Sequence, residues 1–194
     1  MTDATTDATT GATTDPLPGS LVELLESRLR DIPDFPSPGV VFKDVTPLLA
    51  DGEAFGAVVA DMADRRRGSI DLVVGIEARG FIFGAALAQH LGIGFVPVRK
   101  AGKLPGRTRG VSYDLEYGSA TIEIHEDSFV GGERVLVVDD VLATGGTAEA
   151  ACRLLEDGGA EVVAFEAPIE LEFLHGRDRL EGRDVHTTLV VRGG

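Results

Sequence analysis

A chain of 194 residues with 43% hydrophobic side chains can bury one sizeable core, and at that length the simplest expectation is one folded domain. A single cysteine, Cys152, excludes an internal disulfide and fits a reducing compartment; no apolar run approaches the roughly 20 residues of a membrane span, so a soluble cytoplasmic protein is expected. The net charge of −14 argues against nucleic acid as a partner but leaves a small anion compatible, because all three lysines, Lys43, Lys100 and Lys103, fall in segments singled out below.

Residues 1–16 are dominated by Thr, Asp and Ala and are expected to form a disordered tail, with the folded domain over 17–194. Ser20 and Glu23 make a capping box, and Leu21, Leu24, Leu25 and Leu29 give helical spacing that ends near Ile32 and Pro33. Asp34 to Pro47 is too rich in proline for a helix and holds only a short extended piece, Val40 to Phe42. Phe42 offers a flat apolar face that suits either a core position or a planar heterocycle.

Glu53 to Arg67 reads as an amphipathic helix with Phe55, Val58, Val59 and Met62 inward and a solvated end at Arg65, Arg66 and Arg67. Leu72 to Ile76 is a buried strand, followed by Glu77, Ala78, Arg79, Gly80 and a helix from Phe81 to Leu91. A capping turn explains the glycine, but a cation at a helix N-terminus opposes the dipole, so Arg79 points to an anion. Phe95 to Val98 is the next strand; Arg99, Lys100 and Lys103 follow it among Gly102, Pro105, Gly106 and Gly110, as a cationic flexible loop or a plain surface connection. Ser112 to Gly118 reads Ser-Tyr-Asp-Leu-Glu-Tyr-Gly, and Thr121 to His125 alternates as a half-buried strand.

The richest stretch is Val135 to Thr147. Four apolar residues suit a parallel strand buried on both faces, and two carboxylates, Asp139 and Asp140, then close it. A pair of acids ending an apolar strand is costly unless sugar hydroxyls or a cation take up their charge. Ala143, Thr144, Gly145, Gly146 and Thr147 precede a helix from Ala148 to Leu155, where unpaired amides can cradle a phosphate. A polyol beside a phosphate, such as ribose 5-phosphate, satisfies both ends of the motif; an ordinary strand, turn and helix explains the glycines but not the acids. Val162 to Phe165 and Val185 to Val191 read as further strands, with a short helix over Glu170 to Leu180, all as scaffold. Strands alternating with helices predict an α/β fold with an open, mainly parallel sheet flanked by helices. Neither a Gly-x-Gly-x-x-Gly fingerprint nor a P-loop is present.

The Val135–Thr147 motif closely resembles the phosphoribosyl pyrophosphate signature of the type I phosphoribosyltransferases. The run Pro38-Gly39-Val40-Val41-Phe42-Lys43-Asp44 and the Ser112–Gly118 segment resemble the adenine phosphoribosyltransferases within that family. The resemblance implies the type I fold, with a small N-terminal hood from about 32–47 and a flexible loop. It implies purine salvage, in which adenine and phosphoribosyl pyrophosphate give AMP and pyrophosphate. It assigns the ribose hydroxyls to Asp139 and Asp140, and the 5-phosphate to Ala143, Thr144, Gly145, Gly146 and Thr147. Pyrophosphate goes to Ala78, Arg79, Gly80, Arg99, Lys100 and Lys103, and adenine to Val41, Phe42 and Lys43. Glu116 becomes the proton-transfer residue and Tyr117 the residue that closes the loop. A cis peptide between Glu77 and Ala78 is also implied, as are Mg²⁺ carried on substrate oxygens without a direct protein ligand, and a homodimer in which Arg99 crosses to the neighbouring site. Lys43 stands where these enzymes usually carry arginine, which keeps the charge but loses the planar bidentate fork. Two alternatives remain: a phosphoribosyltransferase for hypoxanthine, guanine or xanthine, and a non-catalytic regulator that senses phosphoribosyl pyrophosphate.

Overall fold

The apolar run Val135–Val138 lies in the middle of the sheet, where hydrophobic side chains on both faces of a strand can be buried at once. The protein is described by a computed structural model over residues 19–35, 38, 41–114 and 118–193. Its N-terminal part comprises α1 (Leu21–Ser27), β1 (Arg30–Pro33), β2 (Val41–Asp44), α2 (Thr46–Ala50) and α3 (Gly52–Arg66). Next come β3 (Leu72–Ile76), α4 (Gly80–Leu91), β4 (Gly94–Lys100), β5 (Thr108–Asp114) and β6 (Ser119–His125). The remainder is β7 (Arg134–Val138), β8 (Val141–Leu142), α5 (Gly146–Asp157), β9 (Glu161–Leu171) and β10 (Val185–Val191).

The main sheet has the order β10-β9-β7-β3-β4-β6-β5, with the short β8 also paired to β9. Pairings from β10 to β4 are parallel and those of β6 with β4 and β5 are antiparallel. Alternation along β7 divides the core. Val135 and Val137 pack toward α5, whereas Leu136 and Val138 pack toward α3 and α4. On the α5 side the small residues Ala150, Ala151 and Cys152 bring the helix close to the strands. Burial pushes the Cys152 thiol up to about 11, so this cysteine is packing material and not a nucleophile.

Several elements depart from the sequence expectation. The first helix stops at Ser27, and Arg30–Pro33 pairs antiparallel with Val41–Asp44 to form a small sheet of its own, Ile32 opposite Phe42. Leu29 continues the helical spacing, but pairing with a distant strand prevails over local periodicity. Arg66 is not solvated: its side chain is 8% exposed and bridges Glu166 and Asp184. The supposed loop after Val98 is shorter than expected, because Arg99 and Lys100 belong to β4 and Thr108–Asp114 pairs with β6. Glu170 to Leu180 is not a helix; β9 runs on to Leu171 and two 3₁₀ turns follow, Glu172–Leu174 and Gly176–Leu180. The tail expected over 1–16 lies outside the described residues, as do Glu116 and Tyr117.

Candidate active site

The C-terminal ends of β3 and β7 open onto a cleft of about 480 Å³, the place where an open parallel α/β sheet leaves room for a ligand. From β3 come Glu77, Ala78 and Arg79, from β7 Asp139 and Asp140, and from the small N-terminal sheet Val41, Phe42 and Lys43. Val141, Ala143, Thr147 and Leu171 complete the lining.

Gly80 opens α4 directly against the end of β7. A Cβ there would lie 2.7 Å from the Val138 carbonyl oxygen and 3.0 Å from Asp139 Oδ1, so only glycine lets the two strand ends meet. The Glu77–Ala78 peptide before it is cis. The Glu77 carboxylate accepts from the Lys100 amide at 3.0 Å and from Arg99 Nε and Nη2 at 3.3 Å. Burial acts to raise its pKa, but these donors outweigh it and hold the group below its ordinary value.

Arg79 joins the two halves of the cleft. Its Nε donates to Asp140 Oδ2, and its guanidinium carbon lies 5.1 Å from the centroid of the Phe42 ring. Phe35 also packs on Phe42 in a T-shaped pair, ring centroids 5.3 Å apart. Asp139 accepts the Asp140 amide at 2.9 Å. Part of its surface faces the cleft, yet protein packs around its carboxyl; burial first, and the charge of Asp140 second, raise its pKa well above the ordinary carboxylate value.

Ala143–Thr147 runs from β8 into α5. Gly145 takes φ +77° and no side chain caps α5, leaving first-turn amides for a ligand. The Thr147 hydroxyl lies 3.0 Å from the Tyr113 hydroxyl at the end of β5. Lys43 sits on the cleft wall while its ammonium pairs with Asp31 at 2.6 Å.

The structure therefore brings together Val41, Phe42, Lys43, Ala78, Arg79, Asp139, Asp140, Ala143 and Thr147, with Gly80 directly behind them. Lys100 and Lys103 are exposed and do not line the cleft. Arg99 is held within its own chain by Glu77 and by the Lys103 carbonyl at 2.9 Å. Glu77, Val141 and Leu171 also line the cleft, although the sequence motifs do not single them out as site residues. Glu77 adjoins the Arg79 loop and was within reach of it, whereas one leucine at the end of a strand carries no local signal. Among the described residues no group of three His, Cys, Asp or Glu side chains surrounds a metal position. Asp139 and Asp140, side by side on the cleft wall, can take hydrogen bonds from the hydroxyls of a ligand that brings its own Mg²⁺, with no direct protein ligand needed.

Residues 48–193 match the model of the phosphoribosyl transferase domain. A relative from Frankia casuarinae named adenine phosphoribosyltransferase is 57% identical over 173 residues, covering 89% of this chain and 92% of its own. The chain belongs to the adenine phosphoribosyltransferase family. Among solved adenine phosphoribosyltransferases, that of Thermoanaerobacter pseudethanolicus superimposes with a TM-score of 0.85 at 47% identity, covering 89% of this chain and 100% of the other. The adenine phosphoribosyltransferase of Saccharomyces cerevisiae, complexed with an imino-altritol bisphosphate and adenine, gives 0.83 at 40% identity, with 87% and 98% covered. The mainly parallel sheet flanked by helices is the type I phosphoribosyltransferase fold.

Proposed function

We propose that this chain transfers the 5-phosphoribosyl group of phosphoribosyl pyrophosphate to adenine, giving AMP and pyrophosphate in purine salvage. The observation that carries this reading is one cleft uniting two strand-end acids, an arginine at a helix N-terminus and an aromatic face. A ring nitrogen of adenine attacks the anomeric carbon as the bond to the pyrophosphate oxygen breaks, and the bonding electrons leave with pyrophosphate. Asp139 and Asp140 accept the ribose hydroxyls and hold the sugar while positive charge builds on it. Ala143–Thr147 takes the 5-phosphate on its amides and hydroxyls. Ala78, Arg79 and Gly80 receive the pyrophosphate at the cleft; Arg99, Lys100 and Lys103 do not line it and join them on the strength of the family resemblance. Arg79 must exchange Asp140 for a substrate oxygen, and that exchange returns the Asp140 carboxylate to the ribose.

Val41, Phe42 and Lys43 form the adenine side, with Phe42 stacking on the base. Glu116 takes the proton that the purine nitrogen gives up, and Tyr117 closes the loop. Mg²⁺ would be carried on phosphate and ribose oxygens, with Asp139 and Asp140 holding the hydroxyls that share it, and would neutralise charge on the leaving diphosphate. The active form is a homodimer, with Arg99 the residue assigned to cross into the neighbouring site. No helix among the described residues is long and apolar enough to cross a membrane, and a cytoplasmic location fits the single cysteine.

The test is a panel of adenine, hypoxanthine, guanine and xanthine with labelled phosphoribosyl pyrophosphate. Nucleotide formation from adenine alone is expected. Product from another purine in preference to adenine overturns the substrate, and binding without product from any base makes the chain a sensor.

A further inference from the structure

Glu170 lies at the end of β9, its side chain only 6% exposed, and it was expected to be scaffold. Its carboxylate accepts from Arg177 Nε at 3.0 Å, from Arg177 Nη2, and from Thr187 Oγ1 at 2.6 Å. Arg177 Nη1 donates onward to the Val185 carbonyl at 2.9 Å. A buried carboxylate answered by a planar guanidinium fork fixes orientation as well as charge. These bonds tie the turn 172–177 to the ends of β9 and β10.

Two residues of that tied segment bear on the cleft. Leu171, next to Glu170, lines its wall. Gly176, next to Arg177, sits against the loop that precedes α5: a Cβ on it would lie 2.1 Å from the Ala143 carbonyl oxygen and 2.9 Å from the Gly145 amide nitrogen. The contact is reciprocal, since a Cβ on Gly145 would lie 2.2 Å from the Gly176 carbonyl oxygen. Two glycines here let one backbone rest on the other with no side chain between. Before Gly176, His175 adopts φ +55°, a left-handed conformation unusual for a non-glycine residue, and so turns the chain into this seat. The same loop is also held from below, because β8 pairs with β9 and sets Leu142 opposite Glu170.

We propose that Glu170 and Arg177 are positioning residues that clamp the turn 172–177. Through the Gly176 seat the clamp sets where Ala143–Thr147 meets the 5-phosphate, and through Leu171 it sets the wall of the cleft. Neither charged group lines the cleft. The proposal rests on the reading of the cleft as a phosphoribosyl pyrophosphate site.

Kinetics of wild type, Gly176→Ala, Arg177→Met and Arg177→Lys test it, with KM for each substrate and kcat measured separately and melting temperatures alongside. Gly176→Ala must push the loop from its seat and is expected to raise KM for phosphoribosyl pyrophosphate about tenfold or more, with KM for adenine changed by less than about threefold. Arg177→Met is expected to raise both KM values, and Arg177→Lys to restore part of the loss. Wild-type KM for phosphoribosyl pyrophosphate in a folded Gly176→Ala chain overturns the proposal, as does an Arg177→Met chain altered only in melting temperature. Should Gly176→Ala fail to fold, Glu170→Gln decides: raised KM values support the clamp and unchanged ones remove it. If the wild type turns over none of the purines, the functional reading fails instead. Calorimetric titration with ribose 5-phosphate then reads the seat directly, with binding weakened about tenfold by Gly176→Ala supporting it and equal binding overturning it.

Discussion

Arg79 makes two contacts across the cleft. Its guanidinium rests between Asp140 and the face of Phe42, so three proposed subsites share one side chain. A hydrogen bond to a charged group contributes about 1.5–3 kcal/mol, so Arg79→Ala is expected to weaken phosphoribosyl pyrophosphate binding about ten- to a hundredfold by calorimetry. Binding equal to wild type would remove Arg79 from the pyrophosphate subsite. Glu116 is assigned to proton transfer, and Glu116→Ala is expected to lower kcat by about 10²–10⁴ while phosphoribosyl pyrophosphate affinity holds; unchanged turnover would dismiss the role. Arg79 was legible in the sequence because a cation at a helix start is out of place unless it has work to do. Asp139 and Asp140 were legible for the matching reason at a strand end. Leu171 was not, since an apolar residue in the cleft has the same chemistry as one in the core.

Elements with strong local signals were read correctly, and those defined by distant pairing were not. The run Val135–Val138 and the helices over 80–91 and 146–157 needed only periodicity and glycine. β1 and β5 exist because β2 and β6 lie beside them, and nothing within either segment announces the partner. An ion pair also marks the join of β1 and β2. Asp44 accepts from the Thr46 amide at 2.9 Å and from Arg30 Nε at 3.1 Å, and the amide first, with Arg30 second, lowers its pKa to about 2. A carboxylate with a depressed folded pKa adds stability that is complete above its unfolded value and is lost as pH falls through the folded one. Asp44 therefore contributes fully above about pH 4 and loses its contribution toward about pH 2. Asp44→Asn is expected to lower the melting temperature at neutral pH and to flatten this part of the acid denaturation curve. An acid limb identical to wild type would show that the pair does not anchor the N-terminal sheet.

Across the whole molecule, the buried charge beneath the cleft ties α3 to the sheet. Glu166 on β9 is 1% exposed, its carbonyl accepts the Asp139 amide at 3.1 Å, and its side chain receives Arg66 and, at 3.3 Å, Arg65. Arg66 also donates to Asp184 at 2.7 Å, while His186 lies opposite Glu166 in the pairing of β9 with β10. The run Arg65-Arg66-Arg67 looked like a solvated helix end because the acid it answers is a hundred residues away along the chain. Burial raises the Glu166 pKa despite the opposing pull of Arg66, and Glu166 Oε2 has no hydrogen-bond partner among the described residues. The folded state thus holds the Glu166 proton more tightly than the unfolded chain does. The stability linked to it is complete below the unfolded pKa of about 4.3 and is lost as pH rises through the folded value. Removing the guanidinium should enlarge that effect. Arg66→Met leaves a buried carboxylate without its main counter-charge and is expected to cost about 3–5 kcal/mol at neutral pH, measured by urea unfolding, with part of the loss recovered as pH falls toward 5. Arg66→Met combined with Glu166→Leu replaces the pair by apolar groups and should restore most of the stability. If the single and double variants are equally destabilised at every pH, the loss comes from packing at the end of α3. Recovery in the double variant would place it in the uncompensated charge.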